Sequence, residues 1–310
     1  MRKVGFIFPG QGAQYVGMGK ELYDNFSEAK EVFNKADRIL GRNISDLCFQ
    51  GPMEELTSTN NTQVAILTTS IAALEVLKKH GIKPMMVAGL SLGEYSALVA
   101  SGALSLEEAL VLVEKRGSFM KEDSDRYKGE MAAVLGVSQE IIQEVCNVCK
   151  DLGVISIANY NCPGQIVIAG EIEPLNKAIE LLNERGAKKV IKLPVSGAFH
   201  TELLENASNR LREELNKVNF NEFNIKFIPN LTGETLEEIE NLKDILKNQV
   251  KSSVQWEKSI NTMINEGVDT FIEVGPGKAL SGFVKKVNRA LKVYNVEDLA
   301  SLSKVLEALQ

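Results

Sequence analysis

The sequence predicts an α/β protein in which a large domain on a parallel sheet is interrupted by a smaller lobe with strands of its own. Three observations carry this. Short, fully apolar runs alternate with helical segments in the N-terminal part, as in a parallel sheet covered on both faces. The middle of the chain switches to the order βαββαβ. The α/β alternation then resumes. A length of 310 residues suits about two domains at ~150 residues each.

Taken in order, residues 4–8 (VGFIF) read as a buried first strand. The apolar run is too short for the core of a secretion signal. Residues 10–19 form a glycine-rich loop, and 21–40 have helical spacing. Residues 62–80 read as a second helix, with Ala65, Ala72, Leu74 and Leu77 among its apolar positions. Residues 85–90 are a second strand, and 94–101 and 105–120 are helices. In the middle section, 129–136 is strand and 138–150 helix; 154–161 and 165–170 are strands around the turn signal Cys162-Pro163-Gly164. Helix 173–185 and strand 188–195 complete a ferredoxin-like split unit. Residues 123–128 and 196–197, polar or small, read as its linkers. The expected division is therefore 1–127 with 197–310 as a discontinuous large domain, and 128–196 as the inserted lobe. The rest reads as helix 201–218, strand 225–229, helices 242–250 and 257–266, strand 270–274, the loop Gly275-Pro276-Gly277 and a helix over 278–291.

Composition excludes several classes. Lys plus Arg number 35 against 41 Asp plus Glu, a net charge of -6, which lacks the basic balance of a nucleic-acid binder. No apolar run reaches the ~18 residues of a membrane span. Four cysteines are too few for a disulfide framework. Cys146 and Cys149 form a CxxC, but within a helical pattern that puts both on one face, so they read as core. A reducing, cytoplasmic setting is expected.

The strongest chemical signal is Gly89-Leu90-Ser91-Leu92-Gly93. It fits G-x-S-x-G with a strand entering and a helix leaving, the context in which an α/β-hydrolase-like fold holds a nucleophilic serine on a strained turn. The N–H of Leu92, at the helix start, would point toward an oxyanion built on Ser91. A serine nucleophile needs a base, and the chain has two histidines. His80, in KKHGIK, reads as a solvated residue at a helix end. His200 lies at a strand-to-helix junction and follows Ser91 in the chain, which leaves it as the base. No carboxylate stands out as its partner; a backbone carbonyl could orient the ring instead. Arg116 continues the apolar spacing of Leu106, Ala109, Leu110 and Val113. A guanidinium there needs an anion, either an internal carboxylate or one on a substrate. The loop FPGQGAQYVGMG lacks the third glycine of a dinucleotide site and the Lys-Ser/Thr of a phosphate loop. Its glycines can instead free backbone N–H groups around Gln11 to face an anionic oxygen. No His/Cys cluster has metal-ligand spacing, so neither a catalytic metal nor a bound cofactor is expected.

Four segments, FPGQGAQYVGMG, GLSLGEYSAL, GAFHT and EVGPGKALSG, together resemble the malonyl-CoA:acyl-carrier-protein transacylases of bacterial fatty-acid synthesis. The resemblance covers nearly the whole chain. It implies Ser91 as the acyl-accepting nucleophile, His200 as the base, Gln11 and Leu92 as oxyanion-hole N–H donors, and Arg116 as the clamp on the malonyl carboxylate. Gln249 matches the residue whose main-chain carbonyl orients the histidine. Leu90 departs from the family, many of whose members have His there; that histidine is not the base. Phe199 before His200 resembles malonyl-selective members. The implied activity is ping-pong transfer of malonyl from malonyl-CoA, a CoA thioester substrate, to acyl carrier protein by a monomer. Lys188, Lys189 and Lys192, or Lys285, Lys286, Arg289 and Lys292, are candidate patches for the acidic carrier. An acyltransferase serving a polyketide pathway would carry the same motifs. A serine esterase or thioesterase would share elbow and base but need neither Arg116 nor a carrier dock. A non-catalytic binding module would survive Ser91→Ala.

Overall fold

The computed structural model describes residues 2–195 and 197–309. Among the described residues nine strands make two separate sheets. The first is parallel throughout, in the order β7-β2-β1-β8-β9, with β1 Val4–Phe8, β2 Met86–Gly89, β7 Lys226–Ile228, β8 Thr270–Val274 and β9 Lys292–Val296. Every residue of β1, β2 and β8 is buried, because helices cover both faces. Within β1, Phe6 and Phe8 join the core beneath helices Thr59–Lys79 and Leu106–Arg126, while Ile7 points to the opposite core around Trp256, Ile260 and Met263.

The second sheet is antiparallel, in the order β4-β5-β3-β6, with β3 Gly129–Leu135, β4 Ile155–Cys162, β5 Gln165–Glu171 and β6 Lys189–Lys192. Helices Gln139–Cys149 and Ile172–Glu184 pack on one face through Ile142, Val145, Leu175 and Leu182. The other face, with Met131, Ala133 and Val167, turns toward the main core. β4 is tied to the large sheet's connections where Val254 bridges Asn159. Cys146 and Cys149 face the small core, and all four cysteines are free and buried. Burial pushes the Cys146 thiol up to about 12, away from redox reactivity. Among the described residues no helix is long and apolar enough to cross a membrane.

Several expected boundaries move. The helix expected over 21–40 is two, Lys20–Asn25 and Ser27–Leu40, divided where Phe26 adopts an extended φ of -128°. The expected linker 123–128 is helical as far as Arg126. One of its polar residues, Asp123, is a buried carboxylate that accepts the Ala207 N–H at 2.7 Å and the Asn206 amide at 3.0 Å. Ser196, in the other expected linker, lies outside the described residues. Helix 278–291 shortens to Ala279–Val287, and β9 and helix Leu299–Leu309 follow it.

Candidate active site

The site forms where the C-terminal ends of the parallel strands meet the open face of the antiparallel sheet. A cleft of about 270 Å³ lies between them. Gln11, Ser91, Leu92, Arg116 and His200 all line it, as do Asn161 and Phe283.

Two glycines let the serine stand at the end of β2. A Cβ on Gly89 would lie 1.9 Å from the Gly93 carbonyl oxygen, and one on Gly93 would lie 2.1 Å from that of Phe8. Strand, turn and helix Gly93–Ser101 therefore pack backbone against backbone. Gly10 makes the third close approach, 2.4 Å from the Leu90 carbonyl oxygen if it carried a Cβ. That approach brings the loop with Gln11 over the elbow. Ser91 and His200, at φ 52° and 61°, are the two non-glycine residues in the left-handed region among those described. Such strain costs about 1–3 kcal/mol per residue and persists only where surrounding structure imposes it.

Ser91 Oγ lies 2.8 Å from His200 Nε2, and His200 Nδ1 lies 2.8 Å from the carbonyl oxygen of Gln249. A carbonyl only accepts, so Nδ1 carries the proton and the Nε2 lone pair faces the serine hydroxyl. Burial, reinforced by the nearby Arg116 charge, lowers the His200 pKa to about 4. The ring is neutral at physiological pH and able to take a proton.

Arg116 is 1% exposed. It donates to Gln63 Oε1 at 2.6 Å, to Gln249 Oε1 at 3.0 Å and to Ser91 Oγ at 3.2 Å. Its Nε has no partner among the described residues, and none of its hydrogen bonds goes to a carboxylate. Burial lowers its pKa from the usual arginine value. Of the two anions open to it from sequence, an internal carboxylate, Glu94, lies near enough to act on its charge but makes no hydrogen bond to it among the described residues. A buried guanidinium whose hydrogen bonds go to neutral groups and which keeps spare donors beside the serine is chemically able to hold an incoming anion.

The N–H groups of Gln11 and Leu92 donate to no other group among the described residues. The Gln11 side chain is engaged apart from its backbone, donating to Thr59 Oγ1 at 3.3 Å. Leu92 caps a nine-residue helix, so the positive end of the helix adds to its N–H. His80 stays out of the cleft, its Nδ1 against the Val76 carbonyl at 2.8 Å. Sequence reasoning missed Gln63, Glu94 and Asn230, whose links to the site span 53 to 141 residues. The available signal for Asn230 was its position just past a parallel strand, where such sheets place their sites.

The family model described as acyl transferase domain matches residues 5–305. A malonyl CoA-acyl carrier protein transacylase from Bacillus subtilis is 48% identical over 311 residues, spanning 100% of this chain and 98% of its own. The crystal structure of a malonyl CoA-acyl carrier protein transacylase from Clostridium perfringens superposes with a TM-score of 0.96 at 50% identity, covering 99% of this chain and 97% of that one. A malonyl-transacylase solved in complex with its type II PKS acyl-carrier protein gives a TM-score of 0.96 at 34% identity, with 99% of both chains covered. The chain belongs to the acyl transferase family, among the malonyl CoA-acyl carrier protein transacylases.

Proposed function

We propose that this enzyme transfers the malonyl group of malonyl-CoA to the phosphopantetheine thiol of acyl carrier protein through a malonyl-Ser91 ester, supplying fatty-acid synthesis. His200 takes the Ser91 proton, and Oγ attacks the thioester carbonyl. The backbone N–H groups of Gln11 and Leu92 stabilise the tetrahedral oxyanion, an effect worth about 3–4 kcal/mol per donor in comparable sites. CoA leaves as the thiol with the proton from His200. The carrier thiol then attacks the ester, its proton passing to His200 and on to Ser91. Arg116 holds the malonyl carboxylate throughout. One observation carries the reading: Ser91 Oγ touches the base and a buried arginine lacking a carboxylate partner, at 2.8 Å and 3.2 Å. A serine esterase or thioesterase does not need that arginine.

The same reading takes the parallel domain as α/β-hydrolase-like and residues 128–196 as a ferredoxin-like lobe, supported by the order β6-β3-β5-β4 of a βαββαβ unit. It needs no bound cofactor or metal, and the enzyme works as a monomer in the cytoplasm. Docking of the carrier falls to exposed lysines at the cleft rim. Lys286 of the C-terminal patch supports this, donating to Gln165 on β5, which lines the cleft.

Intact mass spectrometry with malonyl-CoA and acetyl-CoA in competition tests the proposal. A malonyl adduct should form, vanish in Ser91→Ala, lose its selectivity in Arg116→Ala and discharge onto added carrier protein. Steady release of CoA with no adduct would replace transfer by hydrolysis.

A further inference from the structure

We propose that Asn230 is a positioning residue for acyl transfer: backed by Glu94, its side chain clamps the strained elbow and so sets the direction of the Ser91 hydroxyl. The proposal rests on the acyl-transfer reading above. At the elbow the backbone leaves the sheet before the helix has begun, so its polar groups need partners from elsewhere. Asn230 supplies two. Its Nδ2 donates to the Gly89 carbonyl at 2.6 Å, and its Oδ1 accepts the Ser91 N–H at 2.5 Å. One amide thus bridges the residues on either side of Leu90. The Ser91 carbonyl is held from another direction, accepting Gln249 Nε2 at 2.8 Å.

Asn230 is itself fixed. It is fully buried just past β7, the strand that pairs with β2. Its N–H donates to Glu94 Oε2 at 2.9 Å, and its carbonyl accepts the Gln255 N–H at 2.8 Å. Glu94 lies in the first turn of the helix that leaves the elbow, and the same Oε2 accepts Gln249 Nε2 at 3.2 Å. Glu94 therefore joins the backbone of Asn230 to the side chain of Gln249, the two residues whose side chains grip Ser91. A serine at φ 52° relaxes toward an ordinary backbone well unless held, and relaxation swings Oγ away from His200. Asn230 needs no contact with substrate to matter; it acts through the backbone of Ser91.

The test uses the full chain with Asn230→Ala and the isosteric Asn230→Asp. Single-turnover acylation of Ser91 is followed by quenched intact mass with three probes: malonyl-CoA, acetyl-CoA and a small neutral phosphonofluoridate. Melting temperature is measured beside it. In Asn230→Ala all three rate constants should fall together by about a hundredfold, the scale of an ~1 Å misplacement. The malonyl-to-acetyl ratio, which reads Arg116, should not change. Asn230→Asp keeps the acceptor for Ser91 but sets an oxygen against the Gly89 carbonyl, and should fall less. A lowered melting temperature with wild-type acylation per folded molecule would overturn the proposal. So would a change in the malonyl-to-acetyl ratio alone. If Asn230→Ala fails to fold, Asn230→Asp decides by the same criteria. Were wild-type protein to react with the phosphonofluoridate but not with malonyl-CoA, the acyl-transfer reading would fail, while the phosphonofluoridate rates would still judge the clamp.

Discussion

The two sheets border one cleft but reach it in different ways. The parallel sheet arrives end-on: the segments after β1, β2, β7 and β8 bring Gln11, Ser91, Asn230 and the start of helix Ala279–Val287. The antiparallel sheet arrives face-on, with Met131, Ala133, Asn161 and Val167 projecting from its strands. At strand ends the backbone itself is positioned, so tolerance is set by carbonyl oxygens that leave no room for a Cβ at Gly89 or Gly93. On a sheet face the side chain is the variable and the ladder behind it is indifferent to its identity. The proposed nucleophile and oxyanion donors therefore sit on the ends, the proposed base and clamp come from a loop and a helix, and the face shapes the cavity.

Substitutions on the two sides should separate these roles. Gly93→Ala should have the largest effect, since its Cβ meets the Phe8 carbonyl oxygen at 2.1 Å with no flexible end to yield. A loss of roughly 3 kcal/mol or more, read from the urea midpoint, is expected. Arg116→Lys comes next: a single point charge replaces the planar fork, and the preference for malonyl over acetyl groups should drop roughly ten- to hundredfold in competition assays. Ile168→Val, in the core behind the antiparallel sheet, should cost about 0.5–1.5 kcal/mol while leaving the acylation rate per folded molecule unchanged. A rate change there would show that the face is not a passive wall. The smallest effect is on pH. Neutral His200 is the proposed base, so kcat/KM rises with pH through its pKa of about 4. Going from neutrality to about pH 4 should only halve the rate, where an unperturbed imidazole would leave about one part in 300. A fall centred near 7 would instead report the elbow's buried Glu94, whose pKa burial raises to about 7.

The same division explains what could be read in advance. The inner parallel strands were legible because burial on both faces turns each into a continuous apolar run, as in VGFIF. The edge strand β9 was not: KVYNV is half exposed and its polar residues break the signal. Helices Ile44–Gln50 and Met53–Thr57 are too short to display a period. Asp123 was misread because a carboxylate accepting from the backbone of a later helix carries the same letter as a solvated one. At the site, Ser91 announced itself by local steric demand and His200 by scarcity. Asn230, Glu94 and Gln63 did neither. Their work is done through hydrogen bonds between distant segments, and a sequence read locally contains no trace of such a partner.

Arg116 has a consequence for the order of events. In the free protein its hydrogen bonds go to two glutamines and a hydroxyl in a confined cleft, with the Tyr95 ring and the Glu94 carboxyl nearby but not bonded to it. On the proposed reading, a carboxylate bonded directly to it arrives with the acyl group and departs with it. In respect of that pair, the loaded enzyme is the lower-energy of its two resting forms. Between encounters with its acceptor the molecule is suited to waiting full rather than empty, because the cargo completes the charge balance of the cleft.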